Sequence, residues 1–550
     1  MDYILDGDNM KRIKKSLLIG IVALLIAGCV PYATGSSIIV GYKDSEACKD
    51  APLGKTWTFM FYDDADFEYA YDPLYDFAND AYSGENLDVI VLQDTEYGPA
   101  KIWYIDENHK MQLLEELGEV DMGSYETLRD FIGYCKNNFT AERYIISFYN
   151  HGGGWMGACV DDTDNGWLTM DDMQKALVET GGVDIICFSA PCLMGAVESV
   201  YELRDCVDVY IGSEEVSGYA YWWGVMKSIC YTLNNQPEIS NYELGEKIIE
   251  FIKENPEWED KSSLTMSATS TSGVKNLAKT IDKLSIDLLN NMYQSYELVQ
   301  QAYKETQSFY WEFILDIYDF ADEYSKIETN QTILQDLQDI KDALEEAVIA
   351  EYHGYYIPDA HGLSIHFPFS SAYYYYFDYY GKSSYGLDFA MDTHWDEFLH
   401  TFCCKLPYLD AIGSVKWRNV KPGETVEGSF TIRNTGAPES ELNWEVIEWP
   451  EWGEWSFNPK DGSNLGSSET ITVKVSVTVP EEENANFSGE IKIWNKDNHD
   501  NYDTVPVTLS TSKTHSNGLS ALFARFHSFR DKVTCCLFKE KNELNFRRLL

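Results

Sequence analysis

The chain has 550 residues, a net charge of −48 and an apolar fraction of 44%. Its length is several times that of a typical domain of about 150 residues, which argues for at least two domains. Near-average apolar and charged fractions exclude a disordered chain, a coiled coil and a multi-span membrane protein, and 90 acidic against 42 basic residues leave no basic surface for nucleic acid.

Lys11, Arg12, Lys14 and Lys15 precede an apolar stretch from Leu17 to Ala27. About eleven apolar residues rise only about 16 Å as a helix, short of the ~30 Å hydrocarbon core, so the segment reads as an export signal. It ends Ile26-Ala27-Gly28-Cys29, which resembles a prokaryotic lipobox with Cys29 as the lipidated residue. An ordinary signal peptide with a bystander cysteine is the alternative. The expected organisation is therefore a signal over residues 1–29 and a linker over 30–53. The protein is expected at the outer face of the cytoplasmic membrane, lipid-anchored or secreted.

Residues 54–406 alternate β-rich runs with helical patterns. Trp57–Tyr62, Leu87–Leu92, Tyr144–Tyr149, Val183–Phe188 and Val207–Ile211 predict buried strands. Tyr125–Cys135, Thr169–Glu179 and Leu193–Leu203 carry apolar residues at helical spacing. Alternation of this kind predicts an α/β domain with a mostly parallel sheet, whose chemistry collects at the carboxyl ends of its strands. A helical stretch is expected from Tyr242 to Ala350, and one more strand over Gly362–Phe367.

From Tyr408 the pattern becomes strict alternation, as in Ile471-Thr472-Val473-Lys474-Val475-Ser476-Val477, punctuated by turns such as Asn434-Thr435-Gly436. About six antiparallel strands over 408–511 predict an immunoglobulin-like sandwich. Residues 512–550 form a basic tail without an evident partner. Tyr373-Tyr374-Tyr375-Tyr376, in a chain with 38 Tyr and 15 Trp, also admits a carbohydrate-binding surface, although aromatic runs more often line cores and sheets.

Chemistry concentrates in two places. Tyr144–Tyr149 runs into Asn150-His151-Gly152-Gly153-Gly154-Trp155, and Val183–Phe188 into Ser189-Ala190-Pro191-Cys192-Leu193-Met194-Gly195. Neighbouring parallel strands would bring His151 and Cys192 together, and a helix starting after Cys192 would lower its thiol pKa. The pair then acts as nucleophile and acid/base partner, with the amides of Gly152 and Cys192 forming an oxyanion hole. A packed histidine and a buried thiol are the bland alternative. Twelve Cys without a CxxC indicate neither a disulfide scaffold nor zinc. Asp161-Asp162-Thr163-Asp164-Asn165-Gly166 fails the EF-hand ligand order, with Asp172 a weak twelfth position, so it reads as a solvated turn and no metal ligands are assigned.

Over most of Lys55–Phe402 the sequence resembles clostripain-like cysteine peptidases of the caspase-fold clan. The resemblance rests on Trp57-Thr58-Phe59-Met60-Phe61-Tyr62-Asp63-Asp64-Ala65-Asp66, the His151 loop, Cys192-Leu193-Met194-Gly195 with Glu198, Ser213-Glu214-Glu215, and His361-Gly362-Leu363-Ser364-Ile365-His366-Phe367-Pro368. It implies a caspase-like α/β/α sandwich, a His151/Cys192 dyad and endopeptidase activity on protein or peptide substrates. It implies no required cofactor; Ca²⁺ is the one ion it admits. Relatives that cleave after Arg or Lys carry an Asp two places before the Cys, where this chain has Ala190. The substrate pocket is expected around Ala190, Glu214, Glu215 and Tyr219, without a strong preference for a basic P1 residue. The competing expectation is an inactive caspase-fold surface protein. Lys175, the one basic residue between His151 and Cys192, lies on a predicted helix, so no processing site is assigned.

Overall fold

The computed structural model describes residues 54–67, 73–217, 224–255, 261–369, 380 and 387–513. The signal with Cys29, the linker to residue 53, Tyr219, the Tyr373–Tyr376 run and the tail beyond 513 lie outside the described residues. The chain divides into two compact units, one of residues 1–194, 205–208 and 217–259, the other of 195–204, 209–216 and 260–550.

In the first unit the strands are β1 (Lys55–Ala65), β2 (Leu87–Thr95), β3 (Ala100–Ile105), β4 (Met111–Gly118), β5 (Ala141–Tyr149), a hairpin of β6 (Ala158–Asp161) and β7 (Gly166–Leu168), and β8 (Val183–Phe188). The sheet runs β8-β5-β1-β2-β3-β4, with the pairs β8–β5, β5–β1 and β1–β2 parallel. A parallel strand is covered on both faces, so β1 buries every residue from Trp57 to Tyr62, Thr58 included. Helices cover it. In Tyr125–Asn138, Leu128, Phe131, Ile132 and Cys135 share one buried face, and the Ser124 hydroxyl caps the start by accepting from the Glu126 amide. Met170–Thr180 begins with a reciprocal capping box of Thr169 and Asp172 and ends at Gly181, whose φ of 81° suits a residue without Cβ. The Asp172 carboxylate is thus engaged in a helix cap, and Lys175 lies within that helix with its Nζ 3.3 Å from the Tyr125 ring centroid. The β3–β4 hairpin, antiparallel to β2, falls between the strands the sequence predicts.

The second unit holds most of β9 (Val207–Gly212), with β10 (Thr265–Ser270), β11 (Ile314–Asp316), β12 (Val348–His353) and β13 (Ser364–His366). Here β10 lies antiparallel to both β9 and β12, and β11 pairs with β13 in a separate two-stranded sheet. The stretch expected to be helical from Tyr242 to Ala350 is therefore interrupted by β10, β11 and the start of β12. The sequence of β10, Thr-Met-Ser-Ala-Thr-Ser, hides it: every residue is buried but few are apolar. Its hydroxyls find partners instead. Ser267 Oγ donates to the Gly362 carbonyl at 2.6 Å, and Thr265 Oγ1 lies 2.9 Å from Ser213 Oγ.

The C-terminal residues of this unit form β14 (Leu409–Ile412), β15 (Val415–Val420), β16 (Thr425–Asn434), β17 (Glu441–Glu448), β18 (Glu454–Asn458), β19 (Asp461–Gly466), β20 (Thr470–Thr478), β21 (Asn486–Asn495) and β22 (Tyr502–Thr511). They build two sheets, β14-β16-β20-β18 and β15-β22-β21-β17-β19. Phe430, Ile432, Val473 and Val475 of one and Trp444, Val446, Ile491, Ile493, Val505 and Val507 of the other share one core. There are nine strands rather than about six, and β15 runs parallel to β22, so the sheets are not purely antiparallel. Short β14 and β19 lack a full period of alternation, which is why the sequence pattern passes over them.

Candidate active site

The carboxyl ends of β5 and β8 are neighbours, with Phe148 opposite Phe188. They are tied past the last ladder pair by Ser189 Oγ, which donates to the Phe148 carbonyl at 2.6 Å. His151 lies three residues beyond Phe148 and Cys192 four beyond Phe188.

The loop carrying His151 is fixed by Asn150, which is buried and adopts a φ of 152°, rare for an L residue. Its side-chain amide donates to the carbonyls of Asp64 at 3.1 Å and Val160 at 2.7 Å. Its Oδ1 accepts from the amides of His151 and Val160. Beyond it, the Gly153 amide donates to the Gly157 carbonyl at 2.9 Å and the Cys159 amide to the His151 carbonyl at 3.1 Å. These two bonds flank Gly152 and Ala158, which form the open pair of an antiparallel bridge, so the Gly152 amide is not part of that ladder.

Gly152 abuts the Cys192 turn. A Cβ on Gly152 would lie 2.5 Å from the Cys192 carbonyl oxygen, 2.8 Å from the Cys192 nitrogen and 2.8 Å from Pro191 Cβ. Only a residue without a Cβ allows the histidine loop and the cysteine turn to approach this closely. The His151 residue as a whole is exposed, with Phe67 edge-on to its ring at 4.8 Å. Enough protein surrounds the ring that desolvation lowers its pKa below 6.5, against a smaller upward pull from the Asp162 carboxylate.

Cys192 is half-buried, its Sγ donating at 3.5 Å to the Ser217 carbonyl and at 3.9 Å to that of Ala190. By contrast, Cys135, Cys159, Cys187, Cys230 and Cys403 are buried thiols whose pKa burial raises. The helix expected from Leu193 begins only at Val197 and ends at Glu202. Leu193 has a φ of 65°, so Cys192 lies in a turn and not at a helix N-terminus. Pro191 and Gly195 break the pattern that apolar spacing had extended back to Leu193. The sulfur therefore lacks the helix N-terminus expected beside it.

The expected pocket residues among those described differ in burial. Ala190 is buried, with its carbonyl accepting from Ser217 Oγ at 2.9 Å. Glu214 is 1% exposed, its Oε2 accepts from the Gly362 amide at 3.0 Å, and its pKa is raised well above the usual range by burial and then by nearby Asp316. That carboxylate is an interior group of the second unit. Glu215 is partly exposed and accepts from the Val216 amide at 2.7 Å. Glu198 and His366, two residues of the resemblance, meet inside the second unit. Glu198 Oε1 accepts from the His366 amide and the Tyr380 hydroxyl, each at 2.9 Å, and burial pushes its pKa up to about 7.

Sequence reasoning missed Asn150, Phe67 and Ser217 as positioning residues. It also missed a group of carboxylates, Asp66, Asp94 and Glu119, at the ends of β1, β2 and β4. Asp64 and Asp66, two apart across the end of β1, were the available signal. The Asp161–Gly166 stretch is the β6–β7 turn, in which Asp161 accepts from the amides of Met122 at 2.8 Å and Asp164 at 2.9 Å.

A sequence profile described as the Clostripain family matches residues 58–402. Among characterised proteins, clostripain of Hathewaya histolytica is 27% identical over 215 residues, 32% of this chain and 41% of that protein, so the match spans less than half the relative's length. Among solved structures, an inactive zymogen C11 protease from Parabacteroides distasonis is 18% identical, with 62% of this chain and 99% of that chain covered and a TM-score of 0.47. A secreted C11 cysteine protease from Bacteroides thetaiotaomicron, solved with an irreversible peptide inhibitor, is 18% identical over 62% of this chain and all of that one, with a TM-score of 0.45.

Proposed function

Because the chain belongs to the clostripain family, we propose that it is a cysteine endopeptidase that hydrolyses peptide bonds through Cys192 and His151. The observation that carries this reading is the contact of Gly152 with the backbone of Cys192, which sets the loop that carries His151 against the turn that carries the half-buried thiol. A lowered His151 pKa leaves the ring neutral near pH 7. The imidazole then takes the thiol proton as sulfur attacks the carbonyl carbon, and the oxyanion forms where the amides of Gly152 and Cys192 can donate to it. Collapse breaks the C–N bond and His151 passes its proton to the departing amine. Water, losing a proton to His151, then attacks the thioester carbonyl. The acid product leaves, and the imidazolium returns its proton to the sulfur.

A basic P1 residue is not strongly preferred in this proposal. Ala190 stands where Arg- and Lys-cleaving relatives have a carboxylate, and the Glu214 carboxylate is held inside the protein. A guanidinium without its partner costs about 2–5 kcal/mol, roughly 30- to 5000-fold in selectivity. The Met10–Cys29 segment supports export and tethering through a lipid on Cys29, with proteins or peptides outside the cell as substrates. The test is hydrolysis of fluorogenic peptides with a randomised P1 position by the full chain, beside Cys192→Ala and His151→Ala. Both substitutions are expected to abolish turnover without unfolding the protein. Turnover that survives Cys192→Ala would overturn the mechanism, and Arg or Lys as the best P1 residue would overturn the specificity.

A further inference from the structure

One serine meets three consecutive residues of the cysteine turn. Ser217 lies five residues past the end of β9 at Gly212, belongs to the first unit as Cys192 does, and is 7% exposed. Its hydroxyl donates to the Ala190 carbonyl at 2.9 Å and lies 3.4 Å from that of Pro191. Its own carbonyl accepts from Cys192 Sγ at 3.5 Å. Ser217 thus offers the turn a donor through its side chain and an acceptor through its backbone. The serine nearer in sequence is engaged elsewhere, because the Ser189 hydroxyl gives its one proton to the Phe148 carbonyl at 2.6 Å.

The Ala190 carbonyl is a contested acceptor. Cys192 Sγ also reaches it, at 3.9 Å. A thiol carries one proton and is a weak donor, so the sulfur turns either to Ala190 or to Ser217. The Ser217 hydroxyl is the stronger donor and occupies the Ala190 carbonyl, which leaves the Ser217 carbonyl as the closer acceptor for the thiol. We propose that Ser217 is a positioning residue for the nucleophile, holding the Cys192 sulfur in one orientation before it attacks the substrate carbonyl. The role rests on the peptidase reading and extends it to a residue outside the motifs of the family resemblance, which stop at Glu215 in this stretch.

Removing the hydroxyl shows what it does. Ala190 is buried, and a buried carbonyl takes a donor where one is in reach. The thiol at 3.9 Å is in reach, so without the hydroxyl the sulfur swings towards Ala190 and away from its working direction. The loss falls on the chemical step. Ser217 is itself buried and presents little surface to a substrate, so binding is left almost as it was.

The test compares Ser217→Ala and Ser217→Thr with the wild-type full chain. Three quantities are measured: steady-state hydrolysis of a fluorogenic peptide, the rate at which iodoacetamide labels Cys192 by peptide mapping, and the thermal midpoint. Ser217→Ala is expected to lower kcat about tenfold, the size of one misdirected hydrogen bond, with KM changed less than about threefold. Iodoacetamide is small and needs no fixed direction of approach, so its labelling of Cys192 should stay within about threefold of wild type. Ser217→Thr keeps the hydroxyl and should recover kcat to within about threefold. The proposal is overturned by a Ser217→Ala enzyme with kcat within about threefold of wild type. Labelling that falls in step with kcat overturns it too, because the serine would then only support the fold. Ser217→Thr carries the test if Ser217→Ala folds poorly: a tenfold loss of kcat at an unchanged thermal midpoint refutes the role of the hydroxyl. A wild type that hydrolyses no peptide strikes at the peptidase reading and at this role with it, whereas a fully active Ser217→Ala strikes at the role alone.

Discussion

Gly152→Ala tests the contact on which the proposed chemistry depends. The added methyl would start 2.5 Å from the Cys192 carbonyl oxygen and 2.8 Å from the Cys192 nitrogen, both backbone atoms that no rotamer change can move aside. Relief to van der Waals separation needs about 0.5–1 Å of displacement between the two loops. A misplacement of that size costs about 100-fold in rate, or about 2.7 kcal/mol of transition-state stabilisation. The loss should fall on kcat, because the reacting groups move apart while the remainder of the substrate site is untouched. The control is Gly133→Ala, in the helix Tyr125–Asn138, where a Cβ meets open space and alanine gains about 0.5–1 kcal/mol. Steady-state hydrolysis of a fluorogenic peptide, the rate of thiol alkylation at Cys192 and the thermal midpoint separate a displaced site from an unfolded one. A Gly152→Ala enzyme with kcat/KM within about threefold of wild type would refute the argument, because the two loops would then not need to touch.

Asn150→Ala removes four hydrogen bonds that shape the histidine loop, and kcat/KM should fall at least tenfold; Asn150→Asp should not rescue it, because it turns an acceptor towards two carbonyl oxygens. Asp162 pulls the His151 pKa upward, so Asp162→Asn should shift the acid limb of the pH profile of kcat/KM to lower pH; a shift to higher pH, or none, contradicts the assignment of that limb to His151. Glu198 has a folded-state pKa of about 7 against 4.5 unfolded, so the folded protein binds the extra proton and its stability falls as pH rises between these values, by roughly 3 kcal/mol in all. Glu198→Gln cannot ionise and can still accept from the His366 amide and the Tyr380 hydroxyl. It should therefore raise the thermal midpoint at pH 8 relative to wild type and change it little at pH 4.5, and an equal effect at both pH values would rule out ionisation as the cause.

Burial on both faces makes a strand legible, and β1, β2, β5 and β8 could be read from runs that are apolar but for one residue each. The same rule fails for β10, which is buried but built from Ser and Thr whose hydroxyls are satisfied across the fold, a compensation that no local window contains. The approach of the His151 loop to the Cys192 turn was legible because strand ends followed by glycine or a tight turn mark where side chains can leave a sheet. The dipole assigned to Cys192 was not real, because apolar spacing continued through a turn that Leu193 makes with a positive φ.

The carboxylates show where one-dimensional reading stops. Period two alone sets Asp66, just past β1, on the same side as Asp64, so one of the three members of the group is written in the local sequence. Asp94 joins it only through the parallel register that sets Asp64 beside Asp94, and Glu119 only after the β3–β4 hairpin has brought the chain back. Each acidic residue alone looks like one more contribution to a net charge of −48, a surface made for solubility. Burial reverses that meaning: a solvated carboxylate needs no partner, whereas a buried one without a donor needs a proton or a cation. Whether an acidic side chain is solvated or buried among others is therefore decided by strand pairing, at a separation along the chain that no pattern of neighbouring residues encodes.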